Sequence, residues 1–211
     1  MNQGVALVQA YLHVNGYFTV TEYPVMDVLG SGEPFAVTDL DVLAYRFGGA
    51  GHELVHGGAG RESVYRMPVD VALHPSSVIP DMIVGEVKEG RARLNPALRQ
   101  PEVMAVALAR FGCCGVEEAS GLARELVLRG HAVSAAGHHV RTVAFGGRGQ
   151  AGQQGAMLVI PMSHVVLFLE EYLSAAWPVL RHAQLSDPAL ALLALLKKSR
   201  VSMPETKAGH D

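Results

Sequence analysis

The stretch D81-M-I-V-G-E-V-K-E-G90 joins an apolar run to an acid and a lysine, and it decides the predicted fold. Its β-branched and apolar residues predict a strand. Side chains two residues apart on a strand point to the same face, so Glu86 and Lys88 share a face while Val87 points the other way. Charged residues are depleted in strands and costly to bury unless they are paired or bind a metal. The stretch therefore predicts a strand that carries a functional pair of charges.

A second stretch, F35-A-V-T-D-L-D-V-L-A-Y-R-F47, predicts another strand and contains a pair of aspartates. By the same alternation Asp39 and Asp41 share one face, while neighbouring apolar residues can fill the core. If the two strands are neighbours, Asp41 meets Glu86 and Lys88 at one spot. One alternative stays open, in which the charges belong to an exposed edge strand and protect it from aggregation.

The remaining periodicity predicts an α/β domain with a mixed sheet flanked by helices. Helices are predicted at residues 3–14, 95–110 with a restart at Pro101, 116–129, 163–177 and 186–200, and strands at 17–25, 35–47, 81–90, 138–146 and 156–162. We therefore predict one domain over residues 1–200, with an inserted glycine-rich loop at 48–79, a C-terminal helical part at 163–200 and a flexible tail at 201–211.

The composition limits the classes of protein to consider. With 211 residues, 49% of them hydrophobic, the chain can form one well-buried domain. A net charge of −3 excludes a globally basic nucleic-acid coat but leaves room for a local basic patch. The two cysteines are adjacent and exclude a disulfide framework, and no apolar stretch is long enough for a membrane span. We also see no signal peptide and expect a soluble, cytoplasmic protein without a membrane partner.

The charges on the two central strands suit a particular chemistry. Two carboxylates at a strand edge are the hard oxygen ligands that Mg²⁺ prefers, and Mg²⁺ keeps waters and accepts phosphate oxygens. The metal lowers the pKa of a bound water and offsets charge in the transition state. A lysine beside it can orient that water and stabilise the developing negative charge. Asp41, Glu86 and Lys88 together are what phosphodiester hydrolysis needs.

Written as D41-V-L-A and G85-E-V-K88, the two strands resemble the PD-(D/E)xK nuclease superfamily, closest in look to its Holliday-junction-resolvase-like small nucleases. The α-β-β-β-α-β order is similar to the restriction-endonuclease-like core. The resemblance implies a Mg²⁺- or Mn²⁺-dependent nuclease in which Asp41 and Glu86 hold the metal and Lys88 serves the attacking water. It favours DNA over RNA as substrate. It leaves the oligomeric state open, with a homodimer as one option because many relatives dimerise to cut two strands. The 45 positions between Asp41 and Glu86 require the insertion at 48–79.

Further residues follow from the same resemblance. The superfamily often adds a glutamate from the first helix or strand, and Glu22 is the candidate here. Asp39 is expected to be solvated or to support the metal ligands. Some branches carry Q-x-x-x-Y in the next helix, where Gln100 lies without the tyrosine. Arginines 91, 93 and 99 follow the site, where they can rest on phosphates or belong to a solvated loop.

The pentapeptide HELVH, His52 to His56, matches the zinc-peptidase pattern H-E-x-x-H. That chemistry needs both histidines on one face of a helix, and the surrounding glycines oppose a helix. We therefore expect this segment to belong to the inserted loop, which covers or contacts substrate. A catalytically silent nucleic-acid-binding or assembly module on the same fold is the main alternative to the nuclease.

Overall fold

The computed structural model describes residues 2–27, 35–57, 61–66, 69–90, 94–147 and 150–199. The strands are β1 Phe18–Asp27, β2 Phe35–Arg46, β3 His52–Gly57, β4 Arg61–Arg66, β5 Asp81–Lys88, β6 His131–Val133, β7 His139–Gly146, β8 Gly152–Gln154 and β9 Met157–Ile160. The helices are α1 Gln3–Val14, α2 Pro101–Phe111, α3 Val116–Arg129, α4 Met162–Ala175, α5 Trp177–Leu180 and α6 Pro188–Lys198.

Seven of the strands form one mixed sheet in the order β1-β2-β5-β7-β9-β8, with β6 paired to β7. Strand β2 pairs antiparallel with both β1 and β5, whereas β5 with β7 and β7 with β9 are parallel. The prediction of an α/β domain with a mixed sheet is confirmed. This order places β2 and β5 side by side, as the convergence of their charged residues requires.

Helices cover both faces of the sheet, so apolar residues pack in two layers. One layer joins α1, α4 and α6 to the sheet through residues such as Tyr11, Phe145 and Leu169. The other joins α2 and α3 to the opposite face through residues such as Leu40 and Met104. Side chains of β5 alternate between these layers, because strand residues point to opposite faces in turn.

The inserted segment differs from its prediction, since regular structure is present where only loop was expected. His52–Gly57 and Arg61–Arg66 pair antiparallel as a separate two-stranded sheet, and a 3-10 turn follows at Val71–Leu73. Gly51 precedes β3 and Gly57 ends it, so these glycines lie at the ends of the strand and not within it. Because glycines are so frequent around this segment, the sequence did not indicate the short run of residues that pairs as a hairpin.

Buried polar groups hold both ends of this segment on the domain. The Arg46 guanidinium donates to the carbonyls of Ala50 and Ser76 at 2.5 and 2.8 Å, and a Cβ on Gly48 would overlap the carbonyl of Val78. Buried Asp70, which follows the hairpin in the sequence, accepts a hydrogen bond from the Tyr11 hydroxyl. Its Oδ2 also lies 2.6 Å from Nε2 of His164. Such bonds satisfy buried groups that would otherwise be costly. The hairpin is therefore attached at a fixed base.

Smaller differences concern element ends. The helix predicted from residue 95 is a 3-10 turn at Pro96–Arg99, and α2 begins at Pro101, because proline suits the first position of a helix. The short strands β6 and β8 and the break between α4 and α5 were not predicted. The tail at 201–211 lies outside the described residues. Among those that are described, no helix is long and apolar enough to cross a membrane.

Candidate active site

The structure brings Asp41, Glu86 and Lys88 together on the neighbouring strands β2 and β5. The backbone register of these strands ends with Val42 opposite Gly85, so Asp41 and Glu86 are the next residues on their strands. The Lys88 ammonium forms an ion pair with Oε1 of Glu86 and lies 3.6 Å from Oδ2 of Asp41. The predicted trio is therefore one cluster of two carboxylates and one ammonium.

A backbone hydrogen bond fixes the Asp41 side chain. Its Oδ2 accepts from the backbone N–H of Val87 at 2.7 Å, just beyond the last paired position of the two strands. The carboxylate is 24% exposed, so it remains open to solvent and to ligands on one side. The bond from the Val87 N–H therefore fixes the direction in which the carboxylate points.

Glu86 is the buried member of the cluster, with a side chain only 1% exposed. Burial raises the Glu86 pKa most, and the hydrogen bond from Lys88 lowers it while the charge of Asp41 raises it again. The net result is a raised pKa. Its Oε2 atom is buried and has no hydrogen-bond partner among the residues that the structure describes. An unpartnered carboxylate oxygen in such a position needs an explanation, and an ion is one.

Lys88 reaches the two carboxylates from a side chain that is 36% exposed. Burial acts to lower the Lys88 pKa, but the hydrogen bond and charge of Glu86, together with Asp41, outweigh it and raise the pKa. The same ion pair acts to lower the Glu86 pKa, but burial and the charge of Asp41 outweigh it and leave the pKa raised. Lys88 therefore stays positively charged at neutral pH.

Gly85 permits the close approach of the two strands at this point. A Cβ at this position would overlap Cγ1 of Val42 and lie 3.2 Å from Cε2 of Phe145. The glycine thus sets the spacing of β2 and β5 immediately before Glu86. The short G-E-V-K sequence has a structural reason for each of its first two residues.

The other predicted site residues that the structure describes lie on β1, on β2 and around the start of α2. Asp39 is exposed and stands opposite Pro24 of β1. Glu22 lies on β1 between residues paired with Leu40 and Val42, with φ of 53°, and its Oε1 accepts from the backbone N–H of Asn2 at 3.3 Å. Gln100 is exposed at the start of α2 and makes no side-chain cap bond.

The arginines of the predicted phosphate-binding patch are only partly described. Arg99 is exposed at the end of the 3-10 turn. Arg91 and Arg93 lie outside the described residues.

Asn95 and Thr38 were not among the predicted site residues. Nδ2 of Asn95 donates to Oγ1 of Thr38 on β2 at 2.8 Å. The backbone N–H of Asn95 lowers the pKa of Glu86. The signal in the sequence was Asn95-Pro96, which predicts a helix N-cap and nothing more. Its long-range contacts depend on the packing of the chain around β5.

The donor set fits a hard divalent cation with few protein ligands. Asp41 and Glu86 would offer only oxygen, and the unpartnered Oε2 of Glu86 is available for coordination. Within the described ranges, no group of three or more histidines, cysteines, aspartates and glutamates could hold a metal ion. A two-carboxylate site therefore suits Mg²⁺, which keeps several waters and binds substrate phosphate, better than a zinc cage.

A second buried cluster occupies the opposite end of β5. Asp81 is fully buried and accepts from the Arg141 guanidinium at 2.7 and 3.0 Å and from the Tyr17 hydroxyl, while His139 lies 3.0 Å away. Burial acts to raise the Asp81 pKa, but the bonds from His139 and Arg141 outweigh it and lower the pKa. Asp81 and Arg141 therefore form a buried structural ion pair.

The HELVH segment forms strand β3. Four residues of strand separate the Cα atoms of His52 and His56 by about 13 Å. Zinc peptidases need these histidines one helical turn apart, so β3 does not provide their metal site. The prediction that the segment is not helical is confirmed, and the prediction that it is a loop is wrong.

Comparison of the chain with protein-family models, with curated proteins and with solved structures finds no match. The functional proposal therefore rests on the geometry of the site.

Proposed function

We propose that the protein is a metal-dependent phosphodiester hydrolase on a restriction-endonuclease-like core, acting on nucleic acid in the cytoplasm. The observation that carries the proposal is the buried Glu86, whose Oε2 lacks a described partner beside the carboxylate of Asp41 and the ammonium of Lys88. Burying an acid in this way is costly for folding, and functional sites are where such costs are retained.

Each member of the trio has a separate task in this proposal. Asp41 and Glu86 would hold Mg²⁺ or Mn²⁺, which supplies an activated water and charge neutralisation when bound. Lys88 orients the water with its ammonium and stabilises negative charge that develops on the phosphate oxygens. The Val87 N–H keeps the Asp41 carboxylate in place. Preorganisation of this kind lowers the barrier because the charges need not move during the reaction.

The substrate class follows from chemistry and from the resemblance of the motif. Mg²⁺ held by two carboxylates binds phosphate oxygens, and the resemblance favours DNA over RNA. Exposed Arg99, with Arg91 and Arg93 before it in the sequence, would contact neighbouring phosphates. A net charge of −3 predicts modest affinity that falls with salt. A homodimer would place two such sites on two strands.

A cleavage assay with the purified protein tests the proposal. Labelled duplex, single-stranded and branched DNA, and RNA, are offered with Mg²⁺, Mn²⁺ or EDTA. The Asp41→Ala/Lys88→Ala double variant is compared with Lys198→Ala, which changes an exposed lysine at the end of α6. We expect metal-dependent cutting by the wild type and by Lys198→Ala, and none by the double variant. Cutting that persists in the double variant would reject the proposed site.

A catalytically silent nucleic-acid-binding or assembly module is the second candidate. It is favoured by the Glu22 carboxylate, which accepts a bond from the Asn2 backbone at the start of α1. If Glu22 stays bound to Asn2, the carboxylates of the cluster are, among the described residues, those of Asp41 and Glu86. A silent module would bind DNA without cutting it, and would tolerate Lys88→Ala without loss of binding in a gel-shift assay. A nuclease would lose cleavage in the same variant.

A further inference from the structure

A hydroxyl, an imidazole and a carboxylate lie in a row beside the end of α1. Oγ1 of Thr19 on β1 is 2.7 Å from Nε2 of His13, which lies in the last turn of α1. Nδ1 of the same ring is 3.5 Å from Oδ2 of Asp187, the residue that precedes α6. This order of groups is the one with which hydrolases of unrelated folds activate a nucleophile.

The local backbone places these three side chains together. Gly16 follows α1 in the left-handed region with φ of 84°, so the chain turns back and β1 begins beside the last turn of the helix. Oδ1 of Asp187 accepts from the backbone N–H groups of Ala189 and Leu190, both at 3.1 Å, and caps α6. The cap uses one carboxylate oxygen and leaves Oδ2 for the imidazole of His13.

Gln9 determines the direction of the hydrogen bond between Thr19 and His13. Nε2 of Gln9 donates to Oγ1 of Thr19 at 3.3 Å, and an amide nitrogen can only donate. The hydroxyl proton is therefore directed to Nε2 of His13. That nitrogen accepts when the ring carries its proton on Nδ1, the side that faces Asp187. The imidazole is then a base toward Thr19 and is oriented by Asp187.

The row of side chains is open to a substrate. The side chain of His13 is 42% exposed and that of Asp187 is 15% exposed, while Thr19 and Gln9 are partly buried. The 3.5 Å separation between His13 and Asp187 is longer than a hydrogen bond. Such contacts between a base and the group that orients it are often long without substrate and shorten when substrate binds.

We propose that Thr19, His13 and Asp187 form a second catalytic site, which hydrolyses small carboxylic esters. Thr19 is the nucleophile, His13 is the general base and then the general acid, and Asp187 is the positioning residue. The Gln9 amide, next to Oγ1 of Thr19, donates to the negative charge that develops on the ester carbonyl oxygen. Esters are the favoured class because an alcohol leaves more readily than an amine from such an open site.

The reaction has two halves that balance. In the first, Oγ1 of Thr19 bonds to the carbonyl carbon while its proton passes to Nε2 of His13. The bond from that carbon to the ester oxygen then breaks, and the alcohol leaves with the proton. In the second half, water attacks the acyl carbon and gives a proton to His13, which returns it to Oγ1 as the carboxylic acid leaves. Water is the only co-reactant.

Hydrolysis of p-nitrophenyl acetate in the presence of EDTA tests the site. Imidazoles on protein surfaces hydrolyse this ester slowly, so Thr19→Val, which keeps all ten histidines, measures that background. Thr19→Ser keeps the hydroxyl, and His13→Gln removes the base. Asp187→Asn removes the charge and keeps an oxygen that can cap α6. Thr21→Val, two residues along β1, is the matched control. Thermal unfolding of each variant is recorded beside its kinetics.

We expect the wild type to be about 100-fold faster than Thr19→Val and His13→Gln, since general-base catalysis commonly contributes that much or more. Thr19→Ser and Thr21→Val should remain active. Asp187→Asn should lower kcat with little change in KM or melting temperature, as a positioning role requires. After an acid quench, peptide mass spectrometry of the wild type should find the acetyl group on Thr19.

Two results would overturn the proposal. Thr19→Val that hydrolyses the ester as fast as the wild type would assign the activity to surface imidazoles. An acetyl group found on other side chains and absent from Thr19 would do the same, and this measurement uses the wild type, so it stands even if a variant fails to fold. Ester hydrolysis that EDTA abolishes would likewise contradict a site that needs no metal.

Discussion

Oδ2 of Asp41 accepts a hydrogen bond from the backbone N–H of Val87 at 2.7 Å, where Asp41 lies one residue and Val87 two residues beyond the last backbone pair of β2 and β5. The same carboxylate lies 3.6 Å from the Lys88 ammonium. Asp41 therefore has a structural and a chemical role, and substitutions can separate them.

Asp41→Asn keeps an oxygen that can accept from Val87, whereas Asp41→Ala leaves that N–H without its partner. We expect Asp41→Ala to lose about 1–3 kcal/mol of unfolding free energy, and Asp41→Asn to remain close to the wild type. Both should lose Mn²⁺ binding and cleavage, because neither carries the charge. Urea denaturation measures the difference in unfolding free energy, and calorimetry measures the loss of Mn²⁺ binding. Equal stability of the two variants would mean that the bond to Val87 contributes little.

Lys88→Met would leave the buried Glu86 charge without its ion pair. We expect a loss of about 1–3 kcal/mol, less than for a fully buried pair, because Lys88 is 36% exposed. Adding Glu86→Gln removes the unpaired charge, so Glu86→Gln/Lys88→Met should recover most of the stability and remain inactive. Urea denaturation of the two singles and the double provides the coupling energy. A double variant as unstable as the sum of the singles would argue against the pairing.

Asp81 should dominate acid unfolding at the other end of β5. Its pKa is lowered in the folded state, so its contribution to stability is present above the ordinary value of 3.8 and is lost as the pH falls through the folded pKa. Asp81→Asn should cost about 3–5 kcal/mol at neutral pH, since it leaves the Arg141 guanidinium buried without a counter-charge.

The difference between wild type and Asp81→Asn should shrink as the pH falls below 3.8 and on through the lowered folded pKa, because the unfolded chain takes up the Asp81 proton before the folded one does. Chemical denaturation from pH 2.5 to 7 measures it, with exposed Asp39→Asn as the control. A constant difference over that range would assign the loss to packing and not to charge.

Gly85→Ala should disturb the site through the spacing of its strands. The new methyl group would overlap Cγ1 of Val42, and overpacking of this kind costs about 1–3 kcal/mol. Because Glu86 is the next residue, Mn²⁺ affinity should fall too. The double variant Gly85→Ala/Val42→Ala provides room for the methyl group. It should therefore restore part of the stability and part of the Mn²⁺ affinity. Thermal unfolding and calorimetry of the single and double variants check this, and failure of Val42→Ala to compensate would exclude the contact as the cause.

Strand periodicity predicted the centre of the molecule well. Alternation along β2 and β5 was enough to place Asp41, Glu86 and Lys88 together, because adjacent strands leave few other arrangements. The bounds of α1 and α3 were also predicted, since helix ends carry local signals in the sequence, such as Gly130 after α3. These features depend on neighbours along the chain.

Features that depend on distant packing were not predicted. The hairpin of β3 and β4 was hidden by glycines that lie at its strand ends. Nothing local indicates that Asn95 reaches Thr38, or that Asp81 pairs with Arg141 sixty positions later. Burial of Glu86 to 1% likewise follows from how the chain returns over β5. Side-chain bonds between remote residues require the fold to be known first.

The base of the hairpin segment has a consequence for evolution and for engineering. The Arg46 guanidinium donates hydrogen bonds to the carbonyls of Ala50 and Ser76, and Gly48 packs against the carbonyl of Val78. Between these points the hairpin of β3 and β4 forms its own two-stranded sheet, so its sequence can change while the seven-stranded sheet keeps its own contacts. New sequences could be grafted into this hairpin without rebuilding β2 and β5.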